Sequence, residues 1–134
     1  MGEKPHKRLI VWQKAMHFIE EIYKMTERFP SEERFGLVAQ LRRASVSVAS
    51  NIAEGAARQT SKEQIQSFYI ARGSISELDT QLEISHRLEL IDMKQQATML
   101  AELDQLSSLL NGLIRQKRGV SAVLTHPLTY SLTH

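Results

Sequence analysis

The chain has 134 residues, 42% of them hydrophobic, with three prolines, six glycines and no cysteine. That length and mix suit one globular domain with its own core, and they exclude disulfides, thiolate nucleophiles and cysteine-ligated zinc. Seventeen Lys and Arg against fifteen Asp and Glu leave a net charge of +2, so no whole-protein field drives polyanion binding, and any such contact must come from local patches.

Residues 1–10 carry Lys4, Lys7 and Arg8 and form an N-terminal arm. The apolar run there, Leu9 to Val11, is too short for the hydrophobic region of a signal peptide. No later stretch approaches the roughly 20 apolar residues that span a bilayer, so a cytoplasmic protein with no membrane contact is expected. The first helix is predicted over residues 11–29, where Trp12, Ala15, Met16, Ile19, Ile22 and Tyr23 recur at three- and four-residue steps. Pro30 ends it, because the residue before a proline is pushed out of the helical region. Ser31 with Glu32 and Glu33 has the composition of a helix start.

The second helix is predicted over residues 35–57. The third opens at Thr60 and Ser61, each three residues before Glu63 or Gln64, a capping-box spacing. It runs to about Leu88 on Phe68, Ala71, Ile75, Leu78 and Leu82. Asp92 caps the fourth helix, which uses Ala97, Leu100, Leu103, Leu106, Leu110 and Leu113. Lys117 and Arg118 suit its C-terminal dipole, and Gly119 suits a left-handed cap. Short connections make neighbours antiparallel, so residues 11–118 are expected to form an all-α, up-and-down four-helix bundle. Residues 119–134 show no helical period and read as a tail, mobile or docked on a neighbour.

Helix two has three stripes when each residue is given 100° of rotation. Leu37, Leu41, Ala44, Val48 and Ile52 make the core face. Beside it run the small residues Ala39, Val46, Ala49, Ser50, Ala53 and Ala57. Gln40, Arg43, Ser47, Asn51, Glu54 and Arg58 form a polar stripe. The apolar and small surface spans roughly 200°, against a little over 100° for an ordinary bundle helix. Neutral helix filler would account for the alanines and serines, whereas contact with a second partner accounts for the whole width. Helix three repeats the pattern, with Ile70, Gly73, Ile84 and Leu88 opposite its core face and Glu77 among them. Self-association is the preferred account. The polar stripe and Glu77 are candidate interface or structural residues, and Asn51 and Glu54 are expected to make inter-helix or inter-subunit hydrogen bonds.

Chemistry has little to stand on. A di-iron bundle needs two Glu-x-x-His pairs and two further carboxylates. Glu83 and His86 supply one pair, while Glu3 and His6 lie in the arm beside Pro5. His17 near Glu20 and Glu21 is a common surface pairing. Ser45, Ser47 and Ser50 have no strand-turn-helix elbow or placed histidine, and Gly55 and Gly73 lie inside helical segments rather than in a phosphate loop. No enzyme, cofactor, metal or small-molecule substrate is expected. Candidate nucleic-acid contacts are Arg42, Arg43, Arg58, Lys62 and Arg72, with the arm; Trp12, Phe68 and Tyr69 are assigned to core packing rather than base stacking.

Several strings carry a family resemblance. They are Leu9-Ile10-Val11-Trp12-Gln13-Lys14-Ala15, Phe29-Pro30 and Gln40-Leu41-Arg42-Arg43-Ala44. Ser47-Val48-Ala49-Ser50-Asn51-Ile52-Ala53-Glu54-Gly55 and Ala71-Arg72-Gly73-Ser74-Ile75-Ser76-Glu77-Leu78 complete them. Over about residues 9–118 the chain resembles the bacterial four-helix-bundle proteins named after open reading frames in intervening sequences of 23S ribosomal RNA genes. The resemblance implies a bundle assembled as a homopentamer. It also implies a more distant kinship with the pentameric accessory proteins of diversity-generating retroelements, which bind nucleic acid and a reverse transcriptase through basic surfaces. The expected function is a non-catalytic homo-oligomeric adaptor or scaffold with RNA or a nucleoprotein as partner; direct RNA binding by the oligomer's basic surface is the alternative, ahead of a metal-dependent bundle enzyme.

Overall fold

The computed structural model describes residues 4–125, with side chains described for residues 4–119. Four helices follow in order: α1 Ile10–Thr26, α2 Leu37–Ala57, α3 Ser61–Arg87 and α4 Met93–Thr125. Single 3-10 turns occupy Pro5–Arg8 and Ser31–Glu33, and there is no strand among the described residues. Facing pairs give each helix its direction. Ser47 meets Ser74 while Gly55 lies against Phe68 and Gln64, so α2 and α3 run oppositely. Arg72 meets Asn111 and Glu83 meets Gln96, which sets α4 against α3. Arg42 reaches back to Tyr23 and Thr26, and Ala56 shares a recess with Leu9, which sets α1 against α2. The result is an antiparallel up-and-down bundle. Among the described residues no helix is long and apolar enough to cross a membrane.

The core faces of α2 and α3 are the predicted ones. Leu37, Leu41, Ala44, Val48 and Ile52 are buried against Phe68, Ala71, Ile75, Leu78 and Leu82. On α1 the buried face is turned from the expected one. Val11, Ala15, Phe18, Ile22 and Met25 face inward, whereas Met16 and Tyr23 are exposed and Trp12 and Ile19 half-buried. Two overlapping apolar stripes share Ala15 and Ile22, and periodicity alone does not choose between them. On α4, Met99, Leu103, Leu106, Leu110 and Ile114 are buried, with Leu100 and Leu113 at the margin and Ala97 exposed.

The boundaries differ from expectation in three places. α1 stops at Thr26, whose hydroxyl donates back to the Ile22 carbonyl at 2.7 Å. The turn that follows seats Phe29 in the core just before Pro30. α2 starts at Leu37 rather than residue 35, since the Ser31–Glu33 turn takes up the acidic start and leaves Phe35 91% exposed. Gly119 does not end α4, which continues to Thr125; one glycine costs about 1 kcal/mol in a helix and does not break it. The expected tail therefore begins inside a helix, and its residues 126–134 lie outside the described residues.

The caps predicted for α3 and α4 form. Thr60 Oγ1 accepts the Glu63 N–H at 3.2 Å and donates to the Glu63 carboxylate at 2.9 Å. Asp92 Oδ1 accepts the Gln95 N–H at 2.8 Å. Thr60→Ala should lower stability by about 1 kcal/mol in urea unfolding; no change in midpoint would mean that water replaces the hydroxyl without loss.

Candidate interaction surface

α2 and α3 make the most extensive contact in the bundle, and a polar seam runs along it. Ser74 Oγ donates to Ser47 Oγ at 2.8 Å, and Asn51 Nδ2 donates to the Ser47 carbonyl at 2.9 Å and to its hydroxyl at 3.1 Å. Ser67, Ser74 and Gln81 are buried on α3 at seven-residue steps, as Gln40, Ser47 and Glu54 stand on α2. Small side chains on such a line let two backbones approach closely. Ser67, Ser74 and Gln81 escaped the sequence reading, although their heptad spacing was there to be seen.

The expected bonds at Asn51 and Glu54 take a different form within the chain. Both residues are satisfied inside α2, Asn51 by Ser47 and Glu54 by Arg58 in an exposed ion pair at 2.6 Å. The link between helices is made by Ser47 and Ser74 instead, whose hydroxyls meet across the seam at 2.8 Å. Gln40, Arg43 and Glu77 are exposed.

Outside the seam lies an uncovered apolar face. Ile70, Glu77 and Ile84 follow one another at seven-residue steps along α3, and Leu88 continues the line. Ile70 is 53%, Ile84 40% and Leu88 55% exposed. α2 adds Val46 at 40%, with Phe35 before its first turn. Ala39, Ser50 and Ala57 of the small stripe are also exposed, whereas Ala49 is buried in the core. Both helices thus present a second face that their own bundle leaves open.

The proposed nucleic-acid contacts separate into different roles. Arg42 is half-buried and tied to α1: its Nε donates to Thr26 Oγ1 at 2.9 Å, Nη2 to the Tyr23 carbonyl at 3.4 Å, and its guanidinium sits 4.3 Å from the Tyr23 ring centroid. It is a strut between helices, not a free cation. Arg58 is paired with Glu54. Lys62 and Arg72 are exposed. Arg72 Nη1 donates to Asn111 Oδ1 at 3.3 Å, with its guanidinium 4.6 Å from the Tyr69 ring, and Arg118 approaches the same ring at 5.2 Å. Tyr69 packs against the core as expected, and its half-buried ring also lies beside two cations. Phe68 is buried at 1% exposure, and Trp12 packs edge-on against His6.

Glu83, one half of the Glu83–His86 spacing, is engaged by neighbouring side chains. Glu83 accepts from Arg87 Nε at 2.8 Å and from Gln96 Nε2 at 2.9 Å. The Arg87 bond first, then the Gln96 bond, hold its carboxyl below the usual carboxylate value. Among the described residues no three His, Asp or Glu side chains gather to hold a metal ion.

Residues 7–112 match the family model described as 23S rRNA-intervening sequence protein. Among solved structures, the chain is similar to a protein with unknown function from the S23 ribosomal protein family of Bacteroides thetaiotaomicron. The likeness covers 78% of this chain and 98% of that one, at 25% identity and a TM-score of 0.71. No curated protein matches the chain.

Proposed function

The chain belongs to the 23S rRNA-intervening sequence protein family, and from that premise we propose that it acts as a non-catalytic, self-associating helical bundle. In this reading it is a cytoplasmic adaptor or scaffold for RNA or a nucleoprotein, and the pentamer implied by the family resemblance is its assembly. The observation that carries the reading is the apolar strip outside the α2–α3 seam, where Val46, Ile70, Ile84 and Leu88 are each 40% or more exposed. Burying one such side chain fully contributes about 1.5–3 kcal/mol; these are already about half-buried, so the strip favours association as part of a larger contact rather than setting its affinity alone. Arg43 and Glu77 on the same surface supply opposite charges that favour one register over others.

Light scattering on the full chain tests this. The expected particle is several times the 15.3 kDa chain mass, and a strict monomer at micromolar concentration ends the proposal. Ile70→Glu with Ile84→Glu places two carboxylates where the neighbouring copy would sit. Association should weaken at least 100-fold, on the order of the desolvation penalty for unpaired buried charge. Helix content should stay unchanged, since both positions are exposed in the single chain. An assembly of unchanged size in that variant would mean that this face is not the contact.

A further inference from the structure

Charge that nearly cancels over the whole chain is sorted along the bundle axis. The start of α1, the end of α2, the start of α3 and the last turns of α4 meet at one end, around a small recess that includes Leu9, Ala56, Gln64 and Lys117. At that end residues 4–19 carry Lys4, Lys7, Arg8 and Lys14 and no carboxylate. Residues 105–119 carry Arg115, Lys117 and Arg118, and no Asp or Glu follows Asp104 anywhere in the sequence. The third stretch, residues 48–73, sets Arg58, Lys62 and Arg72 against Glu54 and Glu63. Both of those carboxylates are engaged, with Arg58 and with the Thr60 hydroxyl. Residues 20–47 and 74–104 hold twelve of the fifteen acidic residues, all but Glu3, Glu54 and Glu63, yet only seven of the seventeen Lys and Arg.

The α3–α4 edge of the basic end has a built centre. Arg72 is fixed by Asn111 and the Tyr69 ring, and Arg118 shares that ring. The two guanidinium carbons are therefore at most about 10 Å apart, near one Debye length at physiological salt. Two exposed cations held that close repel one another, and an anion that spans them relieves the repulsion. Guanidinium forks match phosphate oxygens in geometry, and an aromatic ring flanked by cations is a combination that accepts a single strand. A lipid surface is a poorer fit. Basic helices that lie on membranes set a continuous apolar face beside their cations; on α3 Ile70 alone of the exposed large apolar side chains is near Tyr69 and Arg72, with Ile84 and Leu88 three turns or more further along the helix.

We propose that this edge, centred on Tyr69, Arg72 and Arg118 and extended by Lys62, Arg115 and Lys117, binds the phosphodiester backbone of single-stranded RNA. It gives the adaptor reading a location for its RNA, but it belongs to one chain and does not depend on self-association. Particle size by light scattering decides the assembly, and RNA retention decides this site, so the two fail separately.

The test uses the full chain and a labelled mixed-sequence RNA of about 20 nucleotides, a length that exceeds one binding footprint. Neutralising about four phosphates on a single strand predicts a loss of affinity on the order of 50-fold between about 50 and 200 mM salt. Arg72→Gln with Arg118→Gln should weaken low-salt binding about 10-fold or more and flatten the logarithmic salt slope by about 1.4. Arg28→Gln with Arg34→Gln removes the same charge from the acidic half, at two exposed positions, and should leave binding unchanged. Circular dichroism checks folding, and Lys117→Gln with Arg118→Gln, which leaves the Asn111 bond intact, should repeat the loss if the Arg72 variant is unstable. The proposal is overturned by absence of retention at low salt, or by equal losses in the basic-end and acidic-half variants. Binding to phosphatidylglycerol vesicles in place of RNA would also overturn it, as would salt-sensitive stacking of the basic end on the acidic end of another copy with RNA left unbound.

Discussion

Gly55→Ala should lower folding stability by about 2 kcal/mol, although alanine is the better helix former. A Cβ on Gly55 would lie 2.5 Å and 2.8 Å from two ring carbons of Phe68 and 3.1 Å from the Gln64 carbonyl oxygen. Neither neighbour can give way easily. Phe68 is 1% exposed and packed in the core, and the carbonyl belongs to the first turns of α3. Helix propensity favours alanine by about 1 kcal/mol, while forcing a methyl into a filled core costs up to about 3 kcal/mol. The steric effect wins because the contact is far inside the normal carbon–carbon distance. Urea unfolding should show a lower midpoint at unchanged slope, and melting should fall by about 7 °C, from the size scaling of unfolding entropy. Phe68→Leu should suppress much of the loss, so that the double variant is less damaged than the two single effects added together. A midpoint that rises with alanine would mean that α2 and α3 have room to separate.

That close approach explains which parts of the fold were legible in the sequence. α2 and α3 each carry one unbroken core stripe, so Leu37 through Ile52 and Phe68 through Leu82 could be placed by period alone. α1 carries two stripes that share Ala15 and Ile22. The choice between Met16 with Tyr23 and Phe18 with Met25 depends on which side α2 and α4 occupy, which is tertiary information. Gly119 has the composition of a cap, but a cap needs the chain to turn, and no proline follows until Pro127. Local chemistry proposed those ends; continuity of the helix decided the last of them.

The site was legible in a different proportion. A helix with apolar groups on two sides is visible in a sequence, and Ile70, Ile84 and Leu88 are indeed uncovered on α3. What could not be seen is how helices sort charge. A net charge of +2 describes two halves of opposite sign, and only the antiparallel order brings Lys7, Lys62 and Arg118 to one end. Arg42 and Arg118 show the same limit from opposite sides. Arg42, with Arg43 beside it, looked like a surface cation and is a strut to Thr26. Arg118 looked like a partner for the helix dipole and stands over Tyr69.

Gln81→Met should raise stability by about 1–2 kcal/mol, a gain rather than the loss most core substitutions bring. Gln81 is 6% exposed, and its Oε1 is buried with no hydrogen-bond partner among the described residues. It occupies the third step of the α3 line on which Ser74 is bonded to Ser47, but here no donor arrives. A shielded acceptor without a partner costs about 1–3 kcal/mol relative to an apolar group of the same shape. Methionine keeps the length of glutamine and fills irregular space, so the replacement removes that penalty without opening a cavity. Gln81→Glu is the opposing control, because burial disfavours the charged carboxylate; stability should fall, and fall further as pH rises above the usual carboxylate range. Since Oε1 is shielded by its own chain, a second copy on the outer face cannot reach it, and the methionine gain should persist in the assembled protein. Equilibrium unfolding at two protein concentrations separates the alternatives. A gain at both supports an unpaired rung, one that weakens the seam while the Ser47–Ser74 bond sets its register; a loss at both would mean that the amide has found a donor in solution.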